Sequence, residues 1–122
     1  TIIFLMSRVD NESVHGTHLM IKGIILSHEF LSSFLYARPI LERMMGELHL
    51  SIMNHTTHSF QPHGYSCSFL LADGHMNIHT YPEEHIIYIN IFRACHMDEN
   101  HMVRVIRQIG TIQNMTYRVI RQ

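Results

Sequence analysis

The chain has 122 residues, 46% of them hydrophobic, with nine Lys and Arg against ten Asp and Glu. That length fits one domain, residues 1–122, in which 1–15 read as a peripheral extension. The formal net charge of −1 gives no general reason to bind nucleic acid or an anionic membrane. Twelve histidines make the charge climb steeply below about pH 6.5. Cys67 and Cys95 are too few for a disulfide framework, so a reduced, cytoplasmic setting is expected.

Residues 1–6 are apolar but far short of the ~20 needed to span a membrane, and they lack the basic flank and cleavage site of a signal peptide. The absence of an initiator Met fits a trimmed or partial chain. A short strand and then a polar loop are expected up to residue 15. Residues 18–25 have the length and β-branched content of a buried strand. Ser27 can cap a helix in which Phe30, Leu31, Phe34 and Leu35 recur at helical spacing. Pro39 interrupts that pattern, because it lacks the N–H donor and biases Arg38 away from helix. Helix resumes over 40–48, either as a kinked continuation or as a second segment.

Residues 49–60 read as a strand, 62–64 as a turn and 65–71 as the next strand. Asp73-Gly74 reads as the tight turn of a hairpin whose second strand is 75–81. Residues 86–92 are again β-rich. Asp98 or Asn100 can cap a helix with Val103, Ile106 and Ile109 as its buried stripe, which Gly110 stops. Residues 115–120 close the chain as a strand. This order predicts an α+β fold, a two-layer α/β sandwich with helices packed on one face of an antiparallel sheet.

Twelve histidines invite a metal, but there is no His-Glu-x-x-His and no paired Cys-x-x-Cys. His75 and His79 fall about 13 Å apart on one strand face at ~3.3 Å per residue, too far to share an ion. No metal site is expected. Ser66 lies across the expected ladder from His79 or Tyr81, within reach of a hydrogen bond that could activate its hydroxyl or relay a proton. His75, Asn77, His79 and Tyr81 share one strand parity and lead to Glu83. Cys95 follows a β run as a candidate thiol at a strand end.

Taken together, these residues resemble the bacterial and archaeal type of S-adenosylmethionine decarboxylase, a pyruvoyl enzyme of polyamine (spermidine) synthesis. Gly16-Thr17-His18-Leu19 resembles that family's Gly-Arg-His-Leu strand. The run from His58 to Ser66 is similar to its His-x-Phe-x-Pro-x-Gly-Val-Ser segment. Asp73-Gly74-His75-Met76-Asn77-Ile78-His79-Thr80-Tyr81-Pro82-Glu83 resembles its Glu-Ser-His-x-x-Ile-His-Thr-Trp-Pro-Glu signature. The resemblance implies a homodimer acting on S-adenosylmethionine or a related small molecule.

It also implies a precursor that cuts itself between the Glu and Ser of the signature, where the serine becomes the pyruvoyl group that serves as electron sink. Asp73, Gly74 and His75 then stand at the processing site. Ser66 and His79 would assist processing, Glu83 would contribute to the active site and Cys95 would donate a proton after decarboxylation. Two departures follow from the match. Gly74 stands where the family has serine, so cleavage is expected to fail and the pyruvoyl group to be absent. Ile89-Asn90-Ile91-Phe92 followed by Cys95 resembles the family's Asp-x-Phe-Thr-Cys stretch, which sets its cysteine position at Ala94, with Cys95 one residue late and on the opposite face of a strand unless a bulge restores the direction. The alternative implied is a non-catalytic relative that binds an adenosyl ligand or regulates an active partner subunit.

Overall fold

The structure, a computed structural model, describes residues 15–109 and 112–122. The strand and loop expected before residue 15 and the helix stop expected at Gly110 lie outside the described residues. Strand β1 (Thr17–Ile25) leads into two helices, α1 (His28–Ser32) and α2 (Phe34–Glu47). Strands β2 (Ile52–Ser59), β3 (Tyr65–Leu71) and β4 (Gly74–Tyr81) follow. A 3-10 turn (Pro82–Glu84), β5 (Ile86–Arg93), α3 (Glu99–Ile106) and β6 (Ile112–Arg121) complete the chain. The six strands form one sheet in the order β2-β3-β4-β5-β1-β6, every neighbouring pair antiparallel. The helices pack on one side of it, as the order of elements predicts.

Alternation along the strands decides which face is covered. In β4, Met76, Ile78 and Thr80 are buried, whereas His75, His79 and Tyr81 are exposed. Leu19 and Ile21 of β1, Cys67 and Phe69 of β3, and Ile87, Ile89 and Ile91 of β5 point the same way as Met76. Phe30, Leu31, Leu41, Met45, Met102 and Ile106 meet them from the helices in one hydrophobic cluster.

Helix boundaries follow local capping. The Ser27 hydroxyl accepts from the Phe30 amide at 3.2 Å, and the Asp98 carboxylate accepts from the Asn100 amide at 3.0 Å. The interruption expected at Pro39 lies elsewhere. Phe34–Glu47 is one continuous helix containing Pro39, and the break falls at Ser33, whose backbone is extended. Ser33 starts α2 by accepting from the Tyr36 amide at 3.3 Å. The carbonyl that Pro39 leaves without an intrahelical donor belongs to Leu35, a residue 82% exposed on the outer side of the helix.

The hairpin turn is also displaced by one residue. Leu71 pairs with Gly74, so the two loop residues are Ala72 and Asp73, and Gly74 opens β4. Positive φ is not what Gly74 supplies: among the described residues, the one glycine in that region is Gly64 at φ 99°.

The layers are joined by polar contacts as well as by apolar burial. The Thr80 hydroxyl donates to the Leu31 carbonyl at 2.7 Å and accepts from the Tyr65 amide at 3.0 Å. The Tyr65 hydroxyl donates to the Phe30 carbonyl at 2.9 Å. Thr80→Val keeps the shape but strands a buried carbonyl and a buried amide. Denaturant unfolding should show a loss of about 1–3 kcal/mol, and an unchanged midpoint would contradict this account.

Candidate functional site

The face of the sheet without helices carries most of the residues singled out from sequence. Cross-strand pairing sets His58, Ser66, His79, Tyr88, Lys22 and Thr116 in one row. Ser68, Asn77, Asn90 and Met20 form the next. The six strands hold no Asp or Glu, so the carboxylates at the two ends of β4 come from the turn residue Asp73 and from Glu83 and Glu84 of the 3-10 turn.

Ser66 and His79 meet as the ladder predicts. They are directly opposed, and Ser66 Oγ lies 2.7 Å from His79 Nδ1. With Nδ1 unprotonated, the hydroxyl donates to the ring and can pass its proton there. Ser68 and Asn77 form a second hydrogen-bonded pair one step along the hairpin. Glu83 sits beyond β4, its Oε1 3.5 Å from His63 Nδ1. Phe60, His63, Ser66, Tyr81, Pro82 and Glu83 border a recess of about 230 Å³.

The hairpin tip is a separate cluster. Asp73 is held by Arg93, with Nε 3.2 Å from Oδ1 and Nη2 2.9 Å from Oδ2, a two-pronged charge-assisted contact. The Asp73 carbonyl accepts from the Ala94 amide at 2.8 Å. His79 lies five positions along β4 from Gly74, about 16 Å at ~3.3 Å per residue. A single chain therefore brings Ser66 to His79 but leaves both away from the Asp73–Gly74 bond. His75 opposes Leu70 and Phe92, its ring centroid 5.7 Å from that of Phe92.

Cys95 reaches the tip by a route that strand parity does not describe. β5 ends at Arg93, and Cys95 lies in the bend beyond it, where its carbonyl accepts from the Thr17 hydroxyl at 2.7 Å. Burial pushes its thiol up from the ordinary value. The Arg93 guanidinium opposes that shift, and the Asp73 carboxylate adds to it through its charge and a hydrogen bond. Burial pushes the Cys67 thiol, in the core, up to about 12.

A pyruvoyl group made from residue 74 does not fit this tip. Gly74 has no hydroxyl, and a Cβ built on it would lie 1.8 Å from the Phe92 carbonyl oxygen and 2.7 Å from its carbon. Arg93 and the Ala94 amide were not recognisable from sequence as parts of this site. Only the β4–β5 register brings them to Asp73. His63 falls on an unspecified position of the His-x-Phe-x-Pro-x-Gly segment and carried no signal in the sequence. Among the described residues, no three His, Cys, Asp or Glu side chains converge as a metal site, and no helix is long and apolar enough to cross a membrane.

With both thiols held protonated at pH 8, alkylation of Cys95 should run several-fold slower than that of free cysteine. Asp73→Asn removes the negative charge that helps to push the Cys95 thiol up and should speed it. Equal rates in the two proteins would refute that part played by Asp73.

Comparison with known proteins agrees with this architecture. A model of the S-adenosylmethionine decarboxylase family matches residues 17–122. The S-adenosylmethionine decarboxylase proenzyme of Clostridium botulinum (strain Loch Maree / Type A3) is 31% identical over 77 residues, 63% of this chain and 66% of that protein. The proenzyme of Archaeoglobus fulgidus is 27% identical over 77 residues, 63% of this chain and 69% of that one. These alignments therefore span about two thirds of each curated relative's length. The crystal structure of the adenosylmethionine decarboxylase from Aquifex aeolicus VF5 superposes with a TM-score of 0.75. That match covers 88% of this chain and 90% of the other at 21% identity, a likeness of fold. By the match over residues 17–122, the chain belongs to the S-adenosylmethionine decarboxylase family.

Proposed function

We propose that this chain serves polyamine (spermidine) biosynthesis as an uncleaved S-adenosylmethionine decarboxylase-type protein that does not generate the pyruvoyl group on itself. Gly74 carries this reading. Self-cleavage at the signature needs a side-chain hydroxyl next to the bond, and glycine has none. The family cysteine position is likewise filled by Ala94, and the thiol of the nearby Cys95 is pushed up by burial and by the Asp73 carboxylate. Carboxy-lyase chemistry belongs to the family, and this chain as written is an unprocessed form without it.

Its part is then non-catalytic, as a binder of an adenosyl ligand or as a subunit that regulates an active decarboxylase. The recess beside Ser66 supports ligand binding. It has exposed Phe60 and Tyr81 rings for a flat base, and Glu83 as the one carboxylate on its border, suited to a sulfonium cation. Pairing with a second subunit, homodimeric by family, is supported by the exposed apolar residues Leu70, Tyr88 and Ile120 on the helix-free face. It is supported further by the ~16 Å that separate the Ser66–His79 pair from the hairpin tip in one chain. A cytoplasmic setting agrees with two unpaired cysteines.

Intact mass spectrometry of the purified protein should return the uncut chain, and fragments split between Asp73 and Gly74 would overturn the reading. Calorimetry with S-adenosylmethionine and pull-down with an active homologue should give binding in at least one case. Silence in both would remove the binding role.

A further inference from the structure

Loss of a hydroxyl is one way to stop self-cleavage, and it is reversible by a single substitution. The tip of this hairpin holds a second obstacle. In an ordinary antiparallel pair, side chains leave the sheet above or below it, so a Cβ at any position meets open space or the packed layer. At Gly74 the Cβ direction runs into the neighbouring strand. Its nearest atoms are the carbonyl oxygen of Phe92 at 1.8 Å, the carbonyl carbon of Phe92 at 2.7 Å and Cα of Arg93 at 3.0 Å. All three are main-chain atoms, so no rotamer change relieves the overlap. The strand itself has to move.

The surrounding contacts hold β5 where it is. Gly74 is in register with Arg93, and the ladder continues without a break to Tyr81 and Ile86. One residue past the ladder, the Ala94 amide donates to the Asp73 carbonyl at 2.8 Å. The Arg93 side chain grips the Asp73 carboxylate on the same stretch. Beyond that, the Cys95 carbonyl is tied to the Thr17 hydroxyl of β1 at 2.7 Å. The carbonyl that a hydroxyl at residue 74 would have to attack is thus clamped from β5, and the space for that hydroxyl's Cβ is taken by β5 as well.

Resting on the family reading above, we infer that Gly74 is a packing residue: β4 and β5 zip together through the bond that relatives cut, and restoring serine alone does not restore cleavage. The tip has become a structural clamp built from Asp73, Arg93 and the Ala94 amide. Recovery of processing requires β5 to withdraw from Gly74, which means loosening the β4–β5 register and not only adding an oxygen.

The test compares the wild-type chain with Gly74→Ser and Gly74→Ala. Both variants carry the Cβ, and only the first carries the hydroxyl. The melting midpoint of each should fall by at least about 5 °C, by similar amounts, and intact mass should show Gly74→Ser uncut after prolonged incubation. Fragments from Gly74→Ser beside an intact wild type would overturn this inference while leaving the proposed function standing. A cut wild type would overturn the proposed function instead. A wild-type melting point retained in both variants would also overturn the inference.

Should neither variant fold, hydrogen exchange on the wild type decides. The Ala94 amide should exchange at least about a hundredfold more slowly than in the unfolded chain. Free exchange there would show that the tip is not clamped.

Discussion

The carbonyls of Phe30, Leu31 and Ser32 end a helix of five residues, too short to satisfy its last acceptors internally. The other layer supplies the donors. The Tyr65 hydroxyl reaches Phe30, the Thr80 hydroxyl reaches Leu31 and the Gly64 amide reaches Ser32 at 3.1 Å. Each donor lies at the end of the β3–β4 hairpin opposite its turn. The helix layer is therefore registered to the sheet at that end by directional bonds, while apolar packing does the rest without direction. Burial pushes the Tyr65 hydroxyl far above its ordinary pKa, which keeps it a donor.

That anchoring shapes both candidate clusters. Thr80 lies between His79 and Tyr81, so the bond that turns Thr80 toward the helices turns its two neighbours to the helix-free face. Ser66 follows Tyr65 by the same parity, and the Ser66–His79 pair results. Among the described residues, no helix carbonyl accepts from the strands at the other end of the hairpin. There, the β4–β5 register, Asp73–Arg93 and the Ala94 amide perform the fastening. The two ends of β4 are thus held by different chemistry, and the family's processing position falls within the second.

Much of this was legible beforehand because it depends on short-range rules. Alternation in 65–71 and 75–81 placed Ser66 across from His79 or Tyr81, between which the register chose His79, and Ser27 and one of Asp98 or Asn100 announced their helices by capping, the second through Asp98. Pro39 left a continuation and a second segment both open, because the cost of a missing N–H depends on the surroundings of the helix, and the structure has the continuation. Asp-Gly misled because its usual appeal is a positive φ, whereas here Ala72-Asp73 forms the turn and Gly74 is demanded by its neighbour. Cys95 escaped the parity argument because β5 ends two residues before it.

By itself, the sequence determined the elements, the α+β class and the family, since hydrophobic period, capping residues and the signature around residues 73–83 are all local in the chain. It also determined that residue 74 has no hydroxyl. Only the tertiary structure decided that residue 74 has no room either. That depends on where β5 lies, and on Arg93 and Ala94 arriving from some twenty residues away to close on Asp73. Strand register is a long-range property, set by pairing across the sheet and not by the residues flanking the turn.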